Sequence, residues 1–248
     1  MSDDLALALE LADVADAITL ERFRAADLVV ETKPDLTPVT EADRAVEEAI
    51  RERLARERPH DAIVGEEFGE TAGAARRWIV DPIDGTKNYV RGIPVWATLI
   101  ALQGEAAVVS APALHRRWWA GRSSGAFADG HPIHVSAVGE LGDAQLLWSG
   151  IEDWDAIGRG DAVLDLARRC WRSRGLGDFW QYMLVAEGAA EIALDPEVSL
   201  WDLAAPQLIV EEAGGRFTDL GGMSRPDGGS GIATNGLLHR AALEIVGR

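Results

Sequence analysis

One cysteine, two tyrosines and three methionines are all that this 248-residue chain holds of those types, and basic residues are few: 24 Lys and Arg against 41 Asp and Glu, a net charge of −17. Each scarcity excludes something. The lone Cys170 admits no disulfide within the chain and points to a reducing compartment. Its helix-like spacing with Val163, Leu166 and Ala167 makes it a core residue rather than a catalytic thiol. The acidic balance argues against non-specific nucleic-acid binding and against anionic membrane surfaces, since both need Lys and Arg. No run reaches the ~18 apolar residues of a membrane span. No basic region followed by an apolar run opens the sequence, so a cytoplasmic protein is expected. There is no His-x-x-x-His pair of the zinc-protease kind and no Walker-type phosphate loop. A serine nucleophile elbow is not expected either.

What is present is an ordinary globular composition, 47% hydrophobic and 26% charged, in a chain long enough for one large domain or two small ones. Leu7, Leu11, Val14 and Ile18 mark an amphipathic first helix, and Val46, Ile50 and Leu54 a second that begins after Thr40 as N-cap. Between them Lys33-Pro-Asp-Leu-Thr-Pro-Val39 is too rich in proline for a helix. Apolar runs at 62–64, 78–80, 95–102, 106–109 and 116–120 read as strands of a meander-like half. Downstream, helices are predicted over 162–170, 179–189 and 203–213, with strands near 146–148, 191–194 and 216–219. Ser149–Gly160 reads as a surface loop. A boundary near residue 140 divides an N-terminal α+β part, 1–140, from a C-terminal α/β part, 141–248. The order of elements is not the regular βαβ alternation of a doubly wound sheet.

The most informative stretch is Trp78-Ile-Val-Asp-Pro-Ile-Asp-Gly-Thr-Lys-Asn88. Asp81 and Asp84 supply hard oxygen ligands suited to Mg²⁺, and the Ile83 carbonyl can turn toward the same ion. Gly85 lets the backbone approach a ligand, and the amides of Gly85 and Thr86 would cap a phosphate if a helix starts there. By itself Asp-Pro-Ile-Asp-Gly is also an ordinary turn. Its company decides: Gly65-Glu66-Glu67 upstream, Trp201-Asp202 downstream, and the Lys33–Asp43 segment before them all.

Together these motifs resemble the inositol monophosphatase family of Mg²⁺-dependent phosphomonoesterases, from about Lys33 to Asn235. The resemblance implies a layered αβαβα sandwich of the inositol monophosphatase and fructose-1,6-bisphosphatase type, with two or three Mg²⁺ per site. It implies that Glu66, Asp81 and the Ile83 carbonyl hold one ion and that Asp81, Asp84 and Asp202 hold another. An acidic residue paired with Thr86 would activate the nucleophilic water and serve a third ion; Glu41 and Asp43 are equal candidates. Read alone, Asp202 could be a helix N-cap and Asp43 a capping-box residue. The resemblance, with nine tryptophans, also implies a homodimer.

Lys33–Thr40, Asp84–Tyr89, Arg116-Arg-Trp-Trp119 and Gly177-Asp-Phe179 are similar to the histidinol-phosphate phosphatase branch of that family. That implies hydrolysis of a small phosphate monoester, L-histidinol phosphate. Inositol 1-phosphate is the alternative substrate, and a non-catalytic metal-binding assembly protein is the alternative of another class. Glu197, next to the Trp201-Asp202 motif, suits a cationic amine, and Asp178, Asn235 and Trp118 are further candidates for the organic part. Their ordinary roles would be a loop charge, a helix cap, an Asn-Gly turn and core packing.

Overall fold

The computed structural model describes residues 1–34, 36–71 and 76–247; Asp35 of the proline-rich loop lies outside them. Helix α1 (Asp3–Arg22) starts at Ser2, whose hydroxyl accepts the Leu5 amide. A small antiparallel hairpin, β1 (Val30–Thr32) and β2 (Pro38–Thr40), leads into α2 (Glu41–Glu57). There Thr40 and Asp43 form the capping box that their spacing predicts, each side chain satisfying the other's backbone amide. Strands β3 (Ala62–Gly65), β4 (Gly69–Glu70) and β5 (Arg77–Asp84) follow, then the short helix α3 (Thr86–Val90). The meander β6 (Ala97–Leu102), β7 (Ala106–Ala111), β8 (Arg116–Gly121), β9 (Gly125–Ala128) and β10 (His131–Ile133) closes this part. The sheet has eight strands in the order β10-β9-β8-β7-β6-β5-β3-β4, with β3 and β5 parallel.

The chain then crosses to a second sheet through β11 (Gln145–Trp148), α4 (Ile151–Ala156), α5 (Gly160–Arg169), β12 (Arg172–Gly175) and α6 (Asp178–Ala186). It continues through β13 (Ile192–Asp195), α7 (Leu200–Glu212), β14 (Arg216–Thr218), β15 (Gly231–Thr234) and α8 (His239–Val246). The strand order is β12-β11-β13-β15-β14, with β11 parallel to both its neighbours.

Alternation along the strands builds the layers, because successive side chains leave a strand on opposite faces. Trp78 and Val80 of β5 pack with Leu11 of α1 and Ile50 of α2 on one face of the large sheet. Ile79, one residue out of phase, packs on the other face with Phe179 and Met183 of α6 and Ile209 of α7. Those helices also meet Leu147, Ala193 and Ala233 of the small sheet, so one core spans both parts. On the far face Leu146, Ile192 and Ile232 pack against Val163 and Leu166 of α5 and Val246 of α8. The result is the αβαβα sandwich.

The segment Ser149–Gly160 departs from its sequence reading: it contains α4, anchored by a fully buried Trp154. Its acidic residues mask a helix whose inward positions are Ile151 and Trp154, one turn apart.

Candidate active site

Side chains at positions i and i+3 of a regular strand point to opposite faces, which would separate Asp81 from Asp84. The structure solves this with a bulge. Asp81 of β5 pairs with Leu99 and Asp84 with Ala97, so three steps on β5 face two on β6. Pro82, which has no amide to donate, sits inside the bulge, and its carbonyl accepts the Thr98 hydroxyl at 2.7 Å. Both carboxylates are thereby turned to one side, where each of Asp81, Asp84 and Asp202 offers an oxygen within 4.8 Å of the others.

Asp202 comes from the first turn of α7. It is not the N-cap; Ser199 is, and Asp202 accepts its backbone amide at 2.7 Å in a second capping box. Capping occupies one oxygen and leaves the other for the cluster. Pro206 stands inside α7 rather than in its first turn.

Glu66 follows β3 directly, and its amide continues the parallel ladder to the Val80 carbonyl at 3.3 Å, which puts it beside Asp81. Lys33 reaches from the β1–β2 hairpin to Glu66 at 2.7 Å and Glu67 at 2.6 Å. These two carboxylates hold the Lys33 ammonium protonated well beyond its ordinary range, against the opposing effect of burial.

Of the two candidates for the Thr86 partner, the structure brings Asp43 and not Glu41. Asp43 is fully buried, and its Oδ1 lies 3.4 Å from the Thr86 hydroxyl, which also reaches the Ile83 carbonyl at 2.8 Å. Asp43 Oδ2 is held by the Thr40 amide and hydroxyl at 2.8 and 2.6 Å. Burial pushes Asp43 up to about 6, with Glu67 and Glu66 adding to the rise. Glu41 is partly exposed and ion-paired with Arg22.

Gly85 adopts φ +82°, a conformation that strains any other L-residue, and caps α3 just before Thr86. A Cβ there would crowd the Val95 carbonyl at 3.1 Å and Asp178 Oδ2 at 3.3 Å.

The residues fit a cation. Burial, then the charges of Glu66, Asp84 and Asp202, push the Asp81 carboxyl well above its usual range. Asp84 is raised by burial and by Asp178 and Asp202, and Asp202 by burial and Glu66. Oδ1 of Asp81 is buried with no hydrogen-bond donor among the described residues. A buried acceptor among like charges is a costly arrangement that a divalent cation relieves.

The cluster faces a cleft of about 580 Å³, lined on one side by Glu66, Asp84, Thr86 and Asp202, with Asp81 buried behind them. The inositol monophosphatase family description matches residues 1–247. The chain belongs to the inositol monophosphatase family. It is 55% identical to a histidinol-phosphatase of Streptomyces coelicolor over 250 residues, 96% of this chain and 94% of that protein. It is 57% identical to a histidinol-phosphatase of Mycobacterium tuberculosis over 251 residues, 97% of this chain and 96% of that protein. Among solved structures, an IMPase of Thermotoga maritima aligns with a TM-score of 0.88 at 31% identity, covering 99% of this chain and 97% of that one.

Within this inositol monophosphatase frame, the residues expected to meet the organic part of a substrate divide. Glu197, exposed, and Asp178 line the cleft. Asp178 heads α6 at φ +52° and accepts from Asn88 at 2.9 Å, and burial pushes it up to about 6. Asn235 does not reach the cleft. Its amide nitrogen donates to Ser136 Oγ and to the Val138 carbonyl, and its oxygen accepts the Leu238 amide, so it closes a turn. Trp118 is also elsewhere: it is buried in the core against Phe179 and donates to Glu187. The string Gly121-Arg-Ser-Ser-Gly125, which has nucleophile-elbow spacing, is the β8–β9 hairpin turn, where Glu212 binds the Ser123 and Gly125 amides.

Several cleft and support residues escaped the sequence reading. Trp148 and Asp153 line the cleft, as does Asp195, which ends β13 and accepts from Tyr182 at 2.6 Å. Burial pushes Asp195 up to about 7. Its place two residues before Glu197, at the end of an apolar strand, is the one signal that could have singled it out.

Proposed function

We propose that this chain is a Mg²⁺-dependent phosphomonoesterase that hydrolyses L-histidinol phosphate to L-histidinol and phosphate. The observation that carries the substrate is the 55–57% identity, over nearly the whole chain, to two histidinol-phosphatases. The cleft supports it: besides the cluster, Asp178, Asp195, Glu197 and Asp153 line it, an acidic surface suited to an amine and an imidazole.

Glu66, Asp81 and the Ile83 carbonyl would hold one Mg²⁺, and Asp81, Asp84 and Asp202 a second; Asp43 would serve a third. The Ile83 carbonyl already accepts from Thr86, but its other lone pair is available. When bound, the ions neutralise the phosphoryl oxygens and the departing alkoxide. The chain's own part is positioning and proton transfer. For this the Thr86 hydroxyl turns its one hydrogen from the Ile83 carbonyl to Asp43 Oδ1. It then accepts a hydrogen bond from the attacking water, takes the water's proton as its own passes to Asp43, and the water oxygen bonds to phosphorus while the ester P–O bond breaks. The Gly85 and Thr86 amides meet the phosphate, and Lys33 offsets the charge of Glu66 and Glu67. The departing alkoxide takes its proton from solvent. A homodimer working in the cytoplasm belongs to the same reading, and Trp171, 68% exposed beside the outer strand β12, supports a subunit contact.

Phosphate release from L-histidinol phosphate tests the proposal. Turnover should appear with Mg²⁺, vanish with a chelator and return when Mg²⁺ is restored. Undiminished turnover in metal-free buffer would sink the mechanism.

A further inference from the structure

Helix α2 carries two carboxylates on its buried face one turn apart, Asp43 and Glu47. Asp43 is absorbed by the Thr86 pair. Glu47, fully buried and absent from the cleft, is a charged group that the chemistry above does not use. Its surroundings state its task. Three donors converge on it: the Glu67 amide at 2.7 Å on Oε2, and the Phe68 amide at 3.2 Å and Arg51 Nε at 2.7 Å on Oε1. The two amides belong to the turn that joins β3 to β4, whose register places Gly65 opposite Gly69 with Glu66, Glu67 and Phe68 between them.

Residue 65 is the other half of the arrangement. A Cβ there would collide with the Glu47 carboxylate, so the carboxylate occupies the space a side chain at 65 would fill. Glu66 is therefore bounded on both sides along the chain. Its own amide is tied to Val80 in β5, and the next two amides are tied to Glu47.

From this geometry we propose that Glu47 is a positioning residue: it fixes the turn that presents Glu66 to the metal and thereby sets the affinity of the ion that Glu66 holds. The inference rests on Glu66 being a metal ligand. A glutamine cannot take over. All three groups around Glu47 are donors, so an amide NH₂ would face an N–H and break at least one contact. Groups that orient metal ligands from behind typically change affinity by about 10–100-fold when altered.

The test is calorimetric titration of Mg²⁺ into chelator-stripped protein, with half-saturating Mg²⁺ for activity measured alongside. Glu47→Gln should weaken Mg²⁺ binding at least roughly tenfold and raise the half-saturating Mg²⁺ in parallel, with kcat at saturating Mg²⁺ within about threefold of wild type. Arg51→Met removes the third donor and also the contact of Arg51 with the Gly69 carbonyl at the end of the same turn, but keeps both turn amides on Glu47, so it should lower the melting temperature and weaken Mg²⁺ less than Glu47→Gln does. Exposed Glu48→Gln should do neither. If Glu47→Gln does not fold, Gly65→Ala forces the same carboxylate aside and should weaken Mg²⁺ equally. A folded Glu47→Gln or Gly65→Ala protein with wild-type affinity overturns the inference, as does an equal loss in Glu48→Gln. Wild-type protein that neither binds Mg²⁺ nor hydrolyses phosphomonoesters would instead overturn the proposed function, and this inference with it.

Discussion

The hydroxyl of Thr86 lies 3.4 Å from Oδ1 of Asp43, across the gap between the start of α3 and the start of α2. The pair joins the Gly85–Thr86 end of the cleft to a buried carboxylate. Glu41, two residues before Asp43, is turned away to Arg22. Asp43→Asn should therefore lower kcat by about 10²–10⁴, the usual worth of a positioned general base, whereas Glu41→Gln should stay within about threefold of wild type. The reverse pattern would transfer the role to Glu41.

Asp81 tests the metal centre without relying on rate alone. In chelated protein its buried carboxylate is opposed by Glu66, Asp84 and Asp202, so Asp81→Asn should raise the melting temperature of the metal-free form. It should also shrink the stabilisation that added Mg²⁺ brings and abolish most turnover. Because these carboxyls are raised in the fold, metal-free wild type should gain stability as pH falls from neutrality toward the ordinary carboxylate range. A mutant with wild-type Mg²⁺-induced stabilisation and turnover would make Asp81 a turn residue only.

His239 governs a separate pH effect. Its ring nitrogens meet the hydroxyls of Thr218 at 3.0 Å and Thr234 at 3.1 Å, and burial, with Arg216 nearby, pushes it down from 6.5 to about 4. Between those values the unfolded chain binds a proton that the folded chain does not, so stability must fall as pH drops through that window. Melting temperatures of the Mg²⁺-loaded protein should decline more steeply from pH 6.5 to about 4 in wild type than in His239→Gln. Parallel curves would show that this histidine does not contribute.

Glu197 addresses recognition of the organic group. A hydrogen bond from an ammonium to a carboxylate contributes about 1.5–3 kcal/mol when well formed. Glu197→Gln should accordingly lower kcat/KM for L-histidinol phosphate by at least roughly tenfold, the equivalent of about 1.4 kcal/mol. Hydrolysis of a generic aryl phosphate should change little. Equal losses on both substrates would point to damage at nearby Asp202, and no loss would remove Glu197 from the site.

Legibility in the sequence followed the range of the interaction. The Thr40–Asp43 capping box, the apolar run of β5 and the ligand-bearing motifs are local, and each could be read from neighbouring letters. The bulge that turns Asp81 and Asp84 to one side could not, because it exists only against β6. Glu47 was invisible for the same reason: nothing near it in sequence states that the amides of residues 67 and 68 will stand before it. Asn235 and Trp118 misled in the opposite sense. An Asn-Gly pair and a tryptophan doublet carry polar and aromatic chemistry wherever they occur, and here tertiary packing consumes both, in a turn and in the core. α4 was hidden by composition, since its acidic outer face conceals the two positions that bury it.

The most direct measurement of the central claim is kcat/KM for L-histidinol phosphate and for myo-inositol 1-phosphate on one preparation at saturating Mg²⁺. The acidic cleft and the 55–57% sequence identity to two histidinol-phosphatases predict a preference for L-histidinol phosphate of at least roughly a hundredfold, about 2.8 kcal/mol of differential transition-state binding. Equal values, or a preference for the inositol ester, would contradict it.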